Sequence, residues 1–318
     1  MVVRRWRERD REALAELATL TPESDPAGAL LASLSVPAEQ SAFDANPTLV
    51  VEDGGDLVGI GTLWENDIHP ARWRVSMFGR PSFWSQGGAA SLLAKLKKRR
   101  PDNRPLQTSI SERDGHALAF FQANGFALLM RTRSGVLHPG DTPGSVAQDI
   151  DTATGWMAQE GLQIVPLPAF RNRPFSDIQL ARLHAEIYAR EHLWDPVRDL
   201  TGREAAELFL DPDEFLHDAT CVAMASTHLV GVTSLRRTDR PGVVELGWTG
   251  SLLDDPQQRR YLAHALLGAS LHHAASANWR VSFEIDEADA AMWEMVTRLP
   301  LDLDTDWLTF AETDAGSA

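Results

Sequence analysis

"VSMFGRPSFWSQGGAASLLAKLKKRR", Val75 to Arg100, decides how this chain folds. Apolar residues from Trp73 to Phe78 read as a strand, and the repeating leucines from about Gln86 to Arg99 read as a helix. Between them lie Gly87, Gly88, Ala89, Ala90 and Ser91, a helix start made of small residues. Backbone N–H groups at such a start can approach a phosphate closely, and the helix dipole adds attraction. The same small residues also suit close packing of a helix onto a sheet, so both uses stand open.

The next stretch, "SISERDGHALAFFQANGF" (Ser109 to Phe126), repeats the alternation of strand and helix. Leu106, Thr108 and Ile110 share one face of a strand by period two. Asp114 is placed to cap a helix through Leu118, Phe121 and Gln122, and Gly125 suits the left-handed residue that ends it. Phe126 opens another strand, marked further on by Leu128, Met130 and Val136.

Upstream, Val2 to Trp6 forms a strand and Arg9 to Leu20 an amphipathic helix. "TLVVEDGGDLVGIGTLW" is a hairpin turning on Asp-Gly-Gly-Asp. After "HPGDTPGS" (His138 to Ser145), with its two Pro-containing breaks, a helix through Trp156 and Met157 leads into a second run of the same order. That run contains the strand "LQIVPL", the helix "SDIQLARLHAEIYAREHLW" capped by Ser176, and the hairpin "CVAMASTHLVGVTSLRR". The strand "GVVELGWTG", the helix "PQQRRYLAHALLGASLHHAA" and the strand-to-helix stretch "RVSFEIDEADAAMWEMVTRLPL" follow. Two copies of one plan of about 150 residues account for this order, with different residue identities.

A chain of 318 residues accommodates two domains, and its 43% hydrophobic and 24% charged residues are ordinary for a globular protein. One cysteine, Cys221, rules out an intrachain disulfide and a cysteine zinc cage; it reads as a small buried hydrophobe, and the low cysteine use fits the cytoplasm. His264 and His272 lie eight apart rather than at chelating i,i+4 spacing, so no metal is expected. No signal peptide and no apolar run of membrane-spanning length is expected either. The net charge of −15 is uneven: residues 1–140 hold 17 Lys+Arg against 16 Asp+Glu, whereas 141–318 hold 13 against 29. Such a chain repels a phosphate backbone, which excludes general nucleic-acid binding and favours cationic small molecules.

With these residues in view, "PSFWSQGGAASLL" resembles the acyl-CoA pyrophosphate loop of the GNAT superfamily of N-acetyltransferases, Arg/Gln-x-x-Gly-x-Gly/Ala. Trp84 stands at the Arg/Gln position, Gly87 at the first Gly and Ala89 at the Gly/Ala position. Ser109 to Phe126 is similar to that family's fifth strand and fourth helix, which end in Gly-Phe. The resemblance covers nearly the whole chain as two units in tandem, in a mycothiol-synthase-like arrangement. It implies an α/β fold of two mostly antiparallel sheets with splayed central strands and flanking helices. The domains are then 1–140, a linker with its helix at 141–160, and a degenerate second unit at 161–318.

Carried over, the resemblance implies acetyl-CoA as co-substrate and a small amine as acceptor. The strand backbone at Met77, Phe78 and Gly79 would pair with pantetheine, and Gln86, Gly87, Gly88, Ala89, Ala90 and Ser91 would hold the pyrophosphate. Lys95, Lys97, Lys98, Arg99 and Arg100 follow as candidates for the adenosine-side phosphate, or as favourable charge at a helix C-terminus. Many members carry a tyrosine four residues before the Gly of Gly-Phe, which protonates the leaving thiolate. Here that position is Phe121, and Val296 in the second unit, so neither copy has the usual acid. Glu245, Glu65 and His69 are the candidate bases, each equally at home as a solvated strand-end residue. In the second copy, Gln258 and Ala263 match the loop pattern while Tyr261 replaces the first Gly. The first unit is therefore expected to bind acyl-CoA and the second to serve as scaffold. A non-catalytic acyl-CoA- or protein-binding module is the alternative that the missing acid keeps open.

Overall fold

The computed structural model describes residues 1–19, 46–172 and 176–313. By contacts the chain divides into Met1–Arg131 with Thr305–Ala318, and Thr132–Asp304. The sequence reading placed the C-terminal strand in the second domain; here it packs with the first.

The first unit contains β1 (Val2–Arg5), α1 (Arg11–Thr19), β2 (Thr48–Asp53), β3 (Asp56–Glu65), β4 (Trp73–Gly79), α2 (Pro81–Ser85), α3 (Gly88–Lys97), β5 (Leu106–Ser111), α4 (Gly115–Ala123) and the start of β6 (Phe126–Leu137). The predicted helix Arg9 to Leu20 is observed as α1 over its described part, and Leu20 lies outside the described residues. At Asp53-Gly54-Gly55-Asp56 both glycines have positive φ, +61° and +100°, as a tight two-residue hairpin turn needs. β1 through β4 pair antiparallel in sequence order, β5 joins β4 in parallel, and Trp307–Ala311 run antiparallel to β5. α3 packs Leu92, Leu93 and Leu96 on one face of the sheet against Leu49, Leu63, Val75 and Met77. α1 packs Leu14 and Leu17 on the other, against Val50, Ile60 and Phe78.

The second unit contains the end of β6, α5 (Gly144–Gln159), β7 (Leu162–Pro166), α6 (Leu167–Phe170), α7 (Ser176–Glu191), α8 (Gly202–Phe209), β8 (Cys221–Ala225), β9 (His228–Arg237), β10 (Val243–Ser251), α9 (Pro256–Ser276), β11 (Arg280–Asp286), α10 (Ala290–Val296) and the start of β12 (Asp302–Glu312). Strands β7 to β10 pair antiparallel, β11 joins β10 in parallel, and residues 132–137 of β6 run antiparallel to β11. The copied plan extends to irregularities. Each hairpin carries one extra residue at the same place, Val58 between Leu57 and Gly59 and Val230 between Leu229 and Gly231. α9 and α5 cover one face through Leu262, Leu266, Ala153 and Met157. α7 covers the other, with Leu180, Leu183 and Ile187 against Val222 and Val232. Cys221 opens β8, partly buried, with its thiol pKa pushed up by burial.

Candidate functional site

In the first unit β4 and β5 pair only at Trp73–Leu106 and Arg74–Gln107, after which no register holds them together. β4 continues on β3 as far as Gly79, and β5 continues on β12 as far as Ser111. From Val75 to Gly79, therefore, β4 has no strand partner on the β5 side. Met77, Phe78 and Gly79 lie along that stretch and are buried.

The chain leaves β4 through the single turn of α2 and reaches Gly87, which caps α3 in the left-handed region at φ +84°. No side chain caps α3, and a Cβ at Gly87 would meet nothing within 4 Å. Gly87 is therefore present for conformation, and the first amides of α3 are left without a side-chain acceptor. Gly88 is present for packing: a Cβ there would come within 3.1 Å of Phe83. Ala89 is fully buried, while Gln86, Ala90 and Ser91 are exposed. The packing reading of the small-residue run holds at Gly88 and Ala89, while Gly87 serves the turn that starts the helix.

Trp84, at the Arg/Gln position, does not face an anion. Its ring lies 4.8 Å from Phe83, 5.4 Å from Phe120 and 6.4 Å from Phe121, centroid to centroid. Phe121 is 1% exposed within this aromatic group, with Phe126 at 5.0 Å. Of the basic run, Lys95 donates to the Val3 carbonyl at 2.9 Å, and Lys97 and Arg100 both pair with Glu312 on β12, at 2.7 and 2.8 Å. Lys98 and Arg99 stay exposed. Three of these five cations are thus engaged by groups of β1 and β12.

Glu65 and His69 are not brought to the loop. Glu65 pairs in register with Trp73 at the closed end of β4, about 20 Å along the strand from Gly79. Its carboxylate is held by Arg104, 2.5 Å away, which Asp102 also grips at 2.9 Å. His69 is buried behind the same turn, its backbone N–H donating to Asn66 Oδ1.

The second unit repeats the separated pair. β10 and β11 are in register only at residues 243–245 against 280–282, so Glu245 marks the root of that gap. β10 then bulges, Gly247 and Trp248 opposing the single Ser234 on β9. The bulge lets Leu246 face the α9 core while Thr249 bonds Thr233 at 2.8 Å. The matching loop is absent: residues 256–276 form one uninterrupted helix, capped by Asp255, which accepts from the Gln258 N–H at 2.8 Å. Gln258 and Tyr261 lie inside that helix, with Tyr261 stacked on Trp156 at 5.4 Å and Ala263 buried in the core. Val296 is likewise core.

What the sequence reading missed is a set of carboxylates at this second gap. Glu191 ends α7, and a Cβ on Gly250 of β10 would collide with its Oε1. Asp286 ends β11, accepting from Thr132 Oγ1 at 2.5 Å, with His192 Nε2 at 3.9 Å. Asp289 caps α10, accepting from the Met292 N–H at 3.2 Å. Burial, then Asp289 and Asp286, push the Glu191 pKa well above the ordinary carboxylate range. Burial likewise lifts Asp289 to about 6. The run "DEAD" at 286–289 was the visible signal; Glu191, about 95 positions upstream on a helix, gave none. Among the described residues no cluster with metal-ligand geometry occurs.

No family model matches the sequence, and no curated protein matches it. Solved structures match along its length. A GCN5-related N-acetyltransferase from Sphaerobacter thermophilus superposes with a TM-score of 0.57 at 13% identity, over 98% of this chain and 94% of that one. A tandem GNAT protein from the clavulanic acid biosynthesis pathway gives 0.56 at 18% identity, over 98% and 96%. A GCN5-related glucosamine N-acetyltransferase region in a fungal multi-domain GH3 beta-N-acetylglucosaminidase gives 0.63 at 10%, over 98% and 38%. At such identities the likeness is one of architecture, and it agrees with the parallel pair that parts in each unit: the chain has the fold of the GCN5-related N-acetyltransferases.

Proposed function

We propose that this chain is an acyl-CoA-dependent N-acyltransferase whose first unit holds the acyl-CoA and whose acceptor is a small cationic amine. The observation that carries this reading is the uncapped start of α3 behind the left-handed Gly87, on the side toward which β4 and β5 part. Gln86 to Ser91 would receive the diphosphate on backbone N–H groups, and the unpaired edge of β4 at Met77–Gly79 would take the pantetheine amides. Acetyl-CoA supplies an acyl group activated as a thioester. The acceptor's ammonium group first gives a proton to solvent, the freed amine nitrogen bonds to the acyl carbon, the C–S bond breaks, the nitrogen loses its surplus proton to solvent, and the departing sulfur takes a proton from water. Water serves there because Phe121 has no proton to give. That absence sets the expected rate about 10²–10⁴-fold below enzymes that retain a general acid. The acidic balance of residues 141–318 supports a cationic acceptor by steering.

Calorimetry with acetyl-CoA and thiol release against a panel of amines test this reading. One acetyl-CoA site per chain with turnover of at least one amine is the expected result. Tight acetyl-CoA binding with no release from any amine would favour a binding module, which the buried, non-acidic Phe121 and Val296 already allow. No acetyl-CoA binding at all would remove both.

A further inference from the structure

We propose that Phe83 is a positioning residue: its ring sits in a slot formed by Gly59, Gly79 and Gly88, fixes where the first amides of α3 point, and so sets the affinity for the diphosphate of acyl-CoA. This inference rests on the acyl-CoA reading of the first unit and names what aims its helix start.

The slot is made by glycines with no conformational need to be glycine. Gly59, Gly79 and Gly88 all keep φ outside the left-handed region, unlike Gly87. What each lacks is room. A Cβ on Gly59 would collide with the Phe83 ring, one on Gly79 would stand 2.6 Å from its Cδ1, and one on Gly88 3.1 Å from its Cδ2. Gly59 and Gly79 are partners in register across β3 and β4, so the ring lies over the end of that ladder with Gly88 against it. Phe83 is fully buried there. An ordinary core position asks only for apolar volume, whereas a slot between backbones admits only a flat ring.

The ring is tied into the turn it supports. The Phe83 N–H donates to the Arg80 carbonyl at 2.9 Å, the Arg80 N–H to the Val58 carbonyl at 2.9 Å, and the Gln86 N–H to the Ser82 carbonyl at 3.0 Å. Three residues then lead from Phe83 to Gly87, and the ladder of α3 begins with the Ser91 N–H on the Gly87 carbonyl at 3.1 Å. The N–H groups of Gly88, Ala89 and Ala90 precede that bond, and their direction follows from where the ring pins Gly88. The second unit is the internal control. Its register sets Gly231 opposite Ser251, as Gly59 stands opposite Gly79, but leucines take the place of the ring: a Cβ on Gly231 would meet Leu262 and Leu266 of α9 at 3.2 Å. The ring in its slot thus accompanies the uncapped helix start, and the leucines accompany the helix that Asp255 caps.

Titration calorimetry of the full chain with acetyl-CoA tests this on wild type, Phe83→Leu and Leu14→Ala. Leu14 is as deeply buried in the same unit, on the far face of the sheet, and serves as the stability control. Phe83→Leu should weaken acetyl-CoA about tenfold or more, while Leu14→Ala should stay within about twofold of wild type. Amide exchange read by mass spectrometry separates aiming from general loosening. Bound acetyl-CoA should protect residues 75–79 and 88–91 in wild type, and only 75–79 in Phe83→Leu at saturating ligand. If Phe83→Leu fails to fold, Gly59→Ala decides by the same criteria, since it presses on the ring from β3, outside the proposed ligand contacts. Unchanged affinity in Phe83→Leu, an equal loss in Leu14→Ala, or intact protection of 88–91 in Phe83→Leu would each overturn the inference while the acyl-CoA reading stands. No acetyl-CoA heat from wild type would overturn that reading, and this inference with it.

Discussion

Asp289→Asn should stabilise the protein at neutral pH and do nothing in acid. The Asp289 carboxyl accepts the Met292 N–H and so caps α10, yet burial outweighs that bond and the charge of Asp286 adds to it, lifting the pKa from 3.8 to about 6. The folded chain thus keeps a proton that the unfolded chain releases. As pH rises from about 4 to about 6, stability falls by about 1.36 kcal/mol per pH unit. Over the 2.2 units between 3.8 and about 6 the loss reaches about 3 kcal/mol, complete by about pH 7. Asparagine keeps an oxygen for the cap at nearly equal propensity and has no charge to bury. Urea melts of wild type and variant, read by tryptophan fluorescence every half unit from pH 4 to 8, give the difference directly. Groups elsewhere cancel in that difference, including the carboxyls held low by arginines, such as Glu204 at about 2 beside Arg198. The difference should grow from nil near pH 4 to about 3 kcal/mol near pH 7. A constant difference, or one favouring wild type at neutral pH, would refute the burial argument.

Gly87→Arg should abolish acetyl-CoA binding in calorimetry, since it strains a φ of +84° and fills the space a diphosphate needs, whereas Gln257→Arg on the exposed start of α9 should leave it unchanged. Gly59→Ala should cost about 1–3 kcal/mol in a urea melt, because its Cβ would collide with the ring of Phe83, which is fully buried and has nowhere to go. Glu312→Gln should cost about 1–2 kcal/mol at pH 7 by removing the acceptor for Lys97, Arg100 and the Leu106 N–H. Wild-type stability from that carboxylate, whose pKa is held below its usual value, should fade as pH drops through it.

The order of elements was legible because it rests on short-range signals: period-two runs, Asp-Gly-Gly-Asp, and Gly125 after Phe121. Gly125 does adopt φ +81° and Asp114 does cap α4, accepting from Ala117 at 3.0 Å. The helix drawn from about Gln86 to Arg99 is observed as α3, Gly88–Lys97, while the short α2 ahead of it, which Pro81 starts, gave no reading. α8 gave no reading, although Thr201 and Glu204 form its capping box. Strand partners were less legible. That residues 307–311 pair with β5, and 132–137 of β6 with β11, follows from long-range register, which no local pattern encodes. The helix start at 87–89 was legible from its small residues, whereas Glu191 gave no signal, because burial rather than neighbours in sequence makes its carboxyl unusual.

The divergence of the two units then reduces to what each sequence allows at one helix start. From Pro256 to Leu267 there is no glycine, and Gln, Arg, Ala and Leu are strong helix formers, so α9 propagates back until Asp255 closes it. The acceptor for its first amides is a carboxylate of the chain itself, and Trp156 holds Tyr261 against the helix side. In the first unit Gly87 and Gly88 interrupt the same helix, and no side chain takes the place that Asp255 fills. The start of α3 therefore has no side-chain acceptor for its first N–H groups, as the proposed diphosphate contact requires, while the start of α9 is satisfied by the chain's own Asp255. The −16 balance of residues 141–318 and the near-neutral balance of 1–140 point the same way. A duplicated plan has thus been given an open helix start in one copy and a closed one in the other by a handful of residues, without changing the strand order that both copies share.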